Sequence, residues 1–334
     1  MSIKIELESS GGHGIILPEM GIGLDTRNAG SYTQIITHAH ADHVPSRSNK
    51  PVLATPATID LMQARGFKGE VQKLPFYEPF KTSQATITLF PAGHILGSAQ
   101  VFIETEKGNV LYTGDFKTPA SPTSEGCIFP EKPIDIFIAE ATFGLPIYKW
   151  KSEEVLEKEI LDFAQSCISQ KINPVFLAYN LGKAQEIMFY LAKAQISMQI
   201  HEAGYELCKV YEKYGFNLGD YECLDPKTAS DKALIMPSFA VDSSKVANGS
   251  KQKIAYVSGW ACLESRMQQM AIHKRIALSD HVDFYELISV VQKLNPVKTF
   301  ITHSPNPEIV CHFLQEEGFD AEPLATLRIK EENV

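Results

Sequence analysis

An α/β fold built in two units is the expectation for this chain, and three observations carry it. The first half holds short apolar runs rich in β-branched and aromatic residues, the middle alternates such runs with helical stretches, and polar, chemistry-bearing residues follow the ends of the runs. The length of 334 residues leaves room for one large domain or two joined ones, with ample chain for a core.

In the first half the strand-like runs are Gln34-Ile-Ile-Thr37, Ala85-Thr-Ile-Thr-Leu-Phe90, Gln100-Val-Phe-Ile103, Asn109-Val-Leu-Tyr-Thr113 and Ile134-Asp-Ile-Phe-Ile138, closed by Gly, Pro, His or Asp. From Ser152 the period changes. Ser152 stands as an N-cap, Glu153 and Glu154 fall in the first turn, and Leu156, Ile160, Phe163 and Cys167 form one stripe. Pro174-Val-Phe-Leu-Ala178, Ser197-Met-Gln-Ile200, Ala233-Leu-Ile-Met236 and Ile254-Ala-Tyr-Val257 then alternate with helical segments, the pattern of βαβ units and a parallel sheet. After Arg275-Ile-Ala-Leu278 come a helix with Phe284, Leu287, Ile288, Val291 and Leu294 inward, a strand Thr299-Phe-Ile-Thr302, and a helix from about Pro307 to Glu317.

An apolar fraction of 44% with 21% charged residues excludes a disordered chain and a coiled coil. No apolar run approaches the roughly 20 residues of a membrane span, and the amino terminus has neither a leader nor a transit pattern, so a cytoplasmic protein without membrane association is expected. The six cysteines show no C-x-x-C spacing and read as reduced, mostly buried apolar residues. Lys and Arg number 31 against 40 Asp and Glu, a net charge of −9 that disfavours a protein coating a polyanion. The charge is segregated, however. Between Lys245 and Arg275 lie six basic residues, Lys245, Lys251, Lys253, Arg266, Lys274 and Arg275, against the single acid Glu264. That stretch is either a wall for a nucleic-acid backbone or ordinary solvated surface.

The sharpest feature is His38-Ala-His40-Ala-Asp42-His43, directly after a β run. Chance placement at these offsets is expected on the order of less than once per thousand such chains. On an extended backbone His38 and His40 point to one side, while Asp42 and His43 on the following turn face a second point a few ångström away. Imidazoles and carboxylates without thiolates suit zinc, manganese or iron, and ligands offered to two points suit a dinuclear hydrolytic centre. His94, in Gly93-His-Ile-Leu-Gly97, and Asp115, after Val110-Leu-Tyr-Thr-Gly114, fall at run ends, as do His281 and His303. Singly each also fits a structural role, and Asp280 or Asp283 could cap the helix that follows.

In this order the motifs resemble those of the metallo-β-lactamase-fold nucleases of the β-CASP group. Asp25 in Gly21-Ile-Gly-Leu-Asp25 matches the first motif, His38 to His43 the second, His94 the third and Asp115 the fourth. Glu140 in Glu140-Ala-Thr-Phe-Gly144, His281 and His303 match the three later motifs, so the likeness spans nearly the whole chain. Phe143-Gly-Leu-Pro-Ile-Tyr-Lys-Trp150, Leu181-Gly-Lys-Ala-Gln-Glu186, Val257-Ser-Gly-Trp260 and Leu278-Ser-Asp-His281 are most similar to bacterial exonucleases associated with ATP-dependent DNA ligases. Two departures stand out: Ser304 follows the last histidine where Gly is usual, and Ala141 follows Glu140 where Ser is usual.

The resemblance implies an αββα metallo-β-lactamase sandwich from residues 1–149 and 275–334, with an α/β β-CASP domain inserted at 150–274. It implies two zinc ions, with manganese as the alternative. His38, His40 and His94 would hold one, and Asp42, His43 and His303 the other, with Asp115 between them and Asp42 counted among the catalytic residues as well. Two such ions would lower the pKa of a shared water and clamp a phosphate oxygen. His281 would donate the leaving-group proton, oriented by Glu140, and Asp25 would orient a ligand. Lys183 and Ser304 are the nucleic-acid contacts so implied, and Lys251 and Lys253 are those that the basic stretch offers. Gly182-Lys183 reads equally as a plain helix start, and Tyr148 and Trp150 as base-stacking or packing residues. The activity implied is a sequence-tolerant DNA exonuclease of DNA repair, acting from a 5′ end and releasing 5′-phosphorylated products. Its partners would be DNA, an ATP-dependent DNA ligase and a helicase. The competing readings are an RNA-processing ribonuclease of the same group and a non-catalytic scaffold paralogue. A flavodiiron oxidoreductase fits poorly, since such centres resemble H-x-E-x-D-H where this chain has His40.

Overall fold

The computed structural model describes residues 3–8, 14–28, 30–46, 48, 50–240, 251–263 and 272–324. It is a mixed α/β structure whose chain divides into two compact units, one of Met1–Ala120, Ser124–Lys149 and His281–Val334, the other of Ser121–Thr123 and Trp150–Asp280.

The first unit contains two sheets. Glu6–Leu7, Ile15–Leu17, Ile22–Leu24, Thr33–Ile35, Val52–Ala54 and Val71–Lys73 pair in sequential order, antiparallel at the start and parallel from Ile22 onward. In the second sheet Phe80–Lys81, Thr86–Pro91, Ala99–Thr105 and Gly108–Tyr112 form an antiparallel meander. Ile136–Glu140, Lys298–Thr302 and Ala321–Pro323 then extend it in parallel from Gly108–Tyr112.

Side-chain alternation along the strands assigns each face of this second sheet. Val101, Ile103, Val110 and Tyr112 pack with Ile15, Leu17, Ile22, Leu24 and Ile35 of the first sheet in one buried cluster. Their neighbours Phe102 and Leu111 turn the other way, onto Leu287, Val290 and Val291 of the helix Phe284–Leu294 and Val310, Cys311 and Leu314 of the helix Pro307–Glu316. The sheet is thus covered on both faces. Because Gly108–Tyr112, Ile136–Glu140 and Lys298–Thr302 run parallel, their C-terminal ends share one edge, and Asp115, Glu140 and His303 follow there.

Asp283 opens the helix Phe284–Leu294 with a capping box, its carboxylate accepting from Glu286 N (2.9 Å) while the Glu286 carboxylate accepts from Asp283 N (3.0 Å). Of the two capping candidates in the sequence, Asp283 is therefore the one that caps. A further helix, Pro56–Ala64, interrupts what the sequence presents as a strand-only first half, with Thr55 as N-cap and Pro56 at its first position.

The second unit is built on a six-stranded, wholly parallel sheet ordered Tyr221–Cys223, Met198–Ile200, Ala233–Met236, Asn173–Leu177, Gln252–Val257 and Lys274–Ile276. Its helices are Glu153–Ser169, Lys183–Lys193 and Glu202–Lys213. Ser152 occupies the N-cap position of the first with extended backbone, but its side chain makes no cap hydrogen bond to the helix. Glu154 bonds to Ser152 instead. The cysteines are free thiols: Cys167, Cys208 and Cys311 are buried, whereas Cys223 and Cys262 are exposed, against the expectation that most would be buried. Among the described residues no helix is long and apolar enough to cross a membrane.

Candidate metal centre

Each candidate ligand sits just past a strand. Thr33–Ile35 leads into His38, His40, Asp42 and His43, Thr86–Pro91 into His94, Gly108–Tyr112 into Asp115, and Lys298–Thr302 into His303. Two glycines let these loops close on one another. Gly93 has φ +75°, and a Cβ there would fall 2.3 Å from the Lys117 carbonyl oxygen; at Gly114, φ +55°, it would meet the Thr37 side chain at 2.7 Å.

His38, His40, His94 and Asp115, all buried, bring one ligand atom each to within 4.8 Å of one another. Asp115 Oδ2 lies 3.5 Å from Nε2 of His38, 3.5 Å from Nε2 of His43 and 3.8 Å from Nε2 of His94. His94 Nε2 and His40 Nδ1 are 3.1 Å apart. The ring of His303 stacks on that of His43 with centroids 5.1 Å apart, and Asp42 stands 3.7 Å from His43 Nε2 with its side chain 59% exposed. Asp42 is therefore the least enclosed of the group.

Asp25, 2% exposed, organises the loop from below. Its carboxylate accepts from Thr37 N (2.7 Å), Thr37 Oγ1 (2.7 Å), Tyr112 Oη (3.0 Å) and His43 Nδ1 (2.9 Å). Because the Thr37 hydroxyl spends its proton on Asp25, its oxygen accepts from His38 Nδ1 at 3.0 Å, which leaves the lone pair of His38 on Nε2, toward Asp115. Tyr112 and Thr37 are the positioning residues that sequence reasoning missed. A strand tyrosine reads as core filler, and nothing in its neighbours advertises the carboxylate it meets.

Two buried atoms here, His38 Nε2 and Asp115 Oδ1, have no hydrogen-bond partner among the described residues. Buried polar atoms are otherwise almost always satisfied, and a divalent cation is the partner that imidazole nitrogens and carboxylate oxygens share. The donor set fits such an ion. Electrostatics agree: burial holds His38 well below the ordinary imidazole range, helped by the neighbouring histidines, and so keeps it in the neutral form that ligates. Burial also penalises charge on His43, but Asp115 and Asp25 outweigh it and raise the ring to about 10. Burial pushes Asp115 up to about 6 against the pull of His43 and His281. A cation held at these nitrogens would take the place of the proton that His43 otherwise carries.

Beside this cluster, His281 Nδ1 and Glu140 Oε1 lie 2.8 Å apart. Glu140 is fully buried; desolvation opposes its charge, yet His281 and the backbone N–H of Thr142 (2.9 Å) hold its carboxyl below the usual range. Ser304 Oγ accepts from Asn306 N at 3.3 Å and so shapes the loop before the helix Pro307–Glu316. Tyr148 is buried against Phe143, which makes it a packing residue.

The remaining candidates belong to the second unit. Lys183 Nζ is paired with Asp280, and its side chain is only 12% exposed, so it is committed to an ion pair. Lys251 is exposed; Lys253 reaches Gln170 and lines a cleft that also contains Glu159 and Asp162. Lys245, Glu264 and Arg266 lie outside the described residues. His201 caps the helix Glu202–Lys213.

No family model matches the chain. It is 31% identical over 312 residues to a probable DNA ligase of Opitutus terrae, covering 92% of this chain and 30% of that protein. It is 28% identical over 178 residues to an RNase J-like protein of Methanocaldococcus jannaschii (47% and 42%), and 27% identical over 133 residues to cleavage and polyadenylation specificity factor subunit 3 of Dictyostelium discoideum (40% and 17%). The chain thus spans less than half the length of these relatives. A crystal structure of a protein of unknown function from Enterococcus faecalis V583 shares the fold, with a TM-score of 0.58 at 14% identity over 83% of this chain and 76% of that one. With its motifs and these relatives, the chain belongs to the metallo-β-lactamase-fold β-CASP nucleases.

Proposed function

We propose that this protein is a metal-dependent phosphodiesterase acting on nucleic acid, specifically a DNA exonuclease of DNA repair. The observation that carries the reading is the convergence of His38, His40, His94 and Asp115 within 4.8 Å, with His38 Nε2 and Asp115 Oδ1 buried and unsatisfied by any described residue. In this reading His38, His40 and His94 hold one ion and Asp42, His43 and His303 a second, with Asp115 between them. The ions are zinc, or manganese in its place. Bound divalent ions supply Lewis acidity toward a phosphodiester and toward water.

The chain's own groups do the rest. Asp25 fixes the ring of His43, and through Thr37 that of His38, so that Nε2 of each faces Asp115. When the bond from phosphorus to the departing sugar oxygen breaks, that oxygen needs a proton. His281, with Nδ1 engaged by the buried Glu140 carboxylate, holds it on Nε2, and the carboxylate stabilises the imidazolium form. The architecture belonging to this reading is the αββα sandwich with residues 150–274 as an inserted β-CASP domain. Similarity to part of a probable DNA ligase supports DNA as substrate and a link to a DNA ligase, while a helicase partner rests on family resemblance alone.

Incubating metal-loaded protein with end-labelled single- and double-stranded DNA and RNA, and reading product lengths, tests the proposal. Mononucleotide 5′-phosphates released progressively from a DNA 5′ end are expected. Faster turnover of RNA than of DNA at matched length would favour the RNA-processing reading, toward which the RNase J-like relative leans.

A further inference from the structure

A cavity of about 800 Å³ opens beside the loop that carries the candidate ligands. Ala39 and Ala41, which alternate with His38, His40 and Asp42, form part of its wall, so it begins a residue's length, about 3.8 Å of chain, from the metal cluster. Arg27, Arg65 and Lys68 also line it, together with Phe67, Ser46 and Ser48, and no acidic residue does among the described residues. In a chain of net charge −9, three cations converging without an acid run against the overall balance.

The three cations are exposed, and among the described residues none of them forms an ion pair. Arg65 and Lys68 follow the C-terminus of the helix Pro56–Ala64, where cations complement the helix dipole, and that alone could explain them. It does not explain Arg27, which arrives from the separate loop after Ile22–Leu24, just past Asp25. Basic side chains with an aromatic ring between them are what a nucleic-acid backbone and its bases require, without base-specific contacts.

We propose that this pocket is a second nucleic-acid subsite, in which Arg27, Arg65 and Lys68 hold the phosphate backbone of a single strand flanking the cleavage point and Phe67 stacks on a base. The inference rests on the nuclease reading above and extends it to a surface apart from the metal ligands and from the lysines of the second unit. Single-stranded DNA and RNA share the phosphate chemistry, and separate arms of the test distinguish them.

The test measures anisotropy of labelled, hydrolysis-resistant phosphorothioate 20-mers of dT and of rU with metal-loaded protein, wild type against Arg27→Gln/Arg65→Gln/Lys68→Gln, across a salt series. Three lost phosphate contacts should flatten the slope of log affinity against log salt by about 2, and weaken binding roughly 100-fold near 0.1 M salt. The single variants should each lose about 5-fold, so they decide the matter if the triple variant does not fold. Hydrolysis of bis(p-nitrophenyl) phosphate, too small to reach the pocket, should fall at least about 10-fold less than cleavage of the oligonucleotides. Wild-type affinity and salt slope in the triple variant would overturn the subsite while leaving the nuclease reading intact, as would equal losses on the small ester and the strand. Failure of the wild type to bind either oligonucleotide, with the small ester still hydrolysed, would overturn both.

Discussion

Asp115 offers Oδ2 to three imidazoles at 3.5 to 3.8 Å and keeps Oδ1 buried without a hydrogen bond among the described residues, so it is the carboxylate at which these rings meet. Asp115→Ala should therefore lose both activity and bound metal. His281→Ala should keep the metal, read by elemental analysis, and lose rate by about 10²- to 10⁴-fold, the range of a missing general acid. If His281→Ala also empties the centre, His281 is a ligand rather than a proton donor. Glu140→Gln should resemble a milder His281→Ala. The His43 ring gives a pH signature for the metal-free protein. Its folded pKa of about 10 lies above the ordinary 6.5, so its contribution to stability is complete below about 6.5 and is lost as pH rises through about 10. Melting temperatures in chelator should fall over that window, and more steeply in wild type than in His43→Gln; parallel curves would contradict the assignment. The convergence of the histidines with Asp115 was legible in the sequence because the candidates fall at short offsets just after strands. Thr37 and Tyr112 were not, because each acts through Asp25, and a carboxylate that arrives from across the sheet leaves no local signature.

At the scale of elements, the helix Pro56–Ala64 shows how a loop is fixed from outside the centre. The hydroxyls of Thr55 and Thr58 both donate to the Gly97 carbonyl, at 2.7 and 2.8 Å, while Thr55 Oγ1 accepts from Thr58 N at 3.2 Å. One N-cap residue thus ties the helix to the loop of His94, whose own N–H is held by Ser98 Oγ at 3.1 Å. Thr55→Ala should cost about 1 kcal/mol as a lost cap and weaken metal binding as well, in a calorimetric titration, because the His94 loop loses a tether. Unchanged metal affinity would show that the loop is held by its glycines and Ser98 alone. This helix could have been found from Thr55-Pro56, a cap followed by proline at the first position. The sequence hides it because only Thr55 separates it from the fully buried strand Val52-Leu53-Ala54. The helix Phe284–Leu294 was readable, since Asp283-x-x-Glu286 writes its start and its apolar residues recur at helical spacing.

For the whole molecule, the α/β character was legible from alternating strand and helix signals, because each element in a parallel sheet must bury a stripe or a face. The partition of the first half into two sheets sharing one core was not. Strands such as Ile15–Leu17 and Ile22–Leu24 are three residues long and too short to show a period, so only tertiary contacts assign their faces. Net charge misleads at this scale too. A chain at −9 still gathers its cations in places, Arg27, Arg65 and Lys68 among them, and in the proposed nuclease bound metal would add positive charge where the phosphate is to sit. The proposed phosphodiester chemistry depends on that metal. Elemental analysis of protein purified without chelator, after supplementation with zinc or manganese, should find close to two transition-metal ions per chain. A single ion would contradict the dinuclear centre, and none would contradict the metal-dependent nuclease itself.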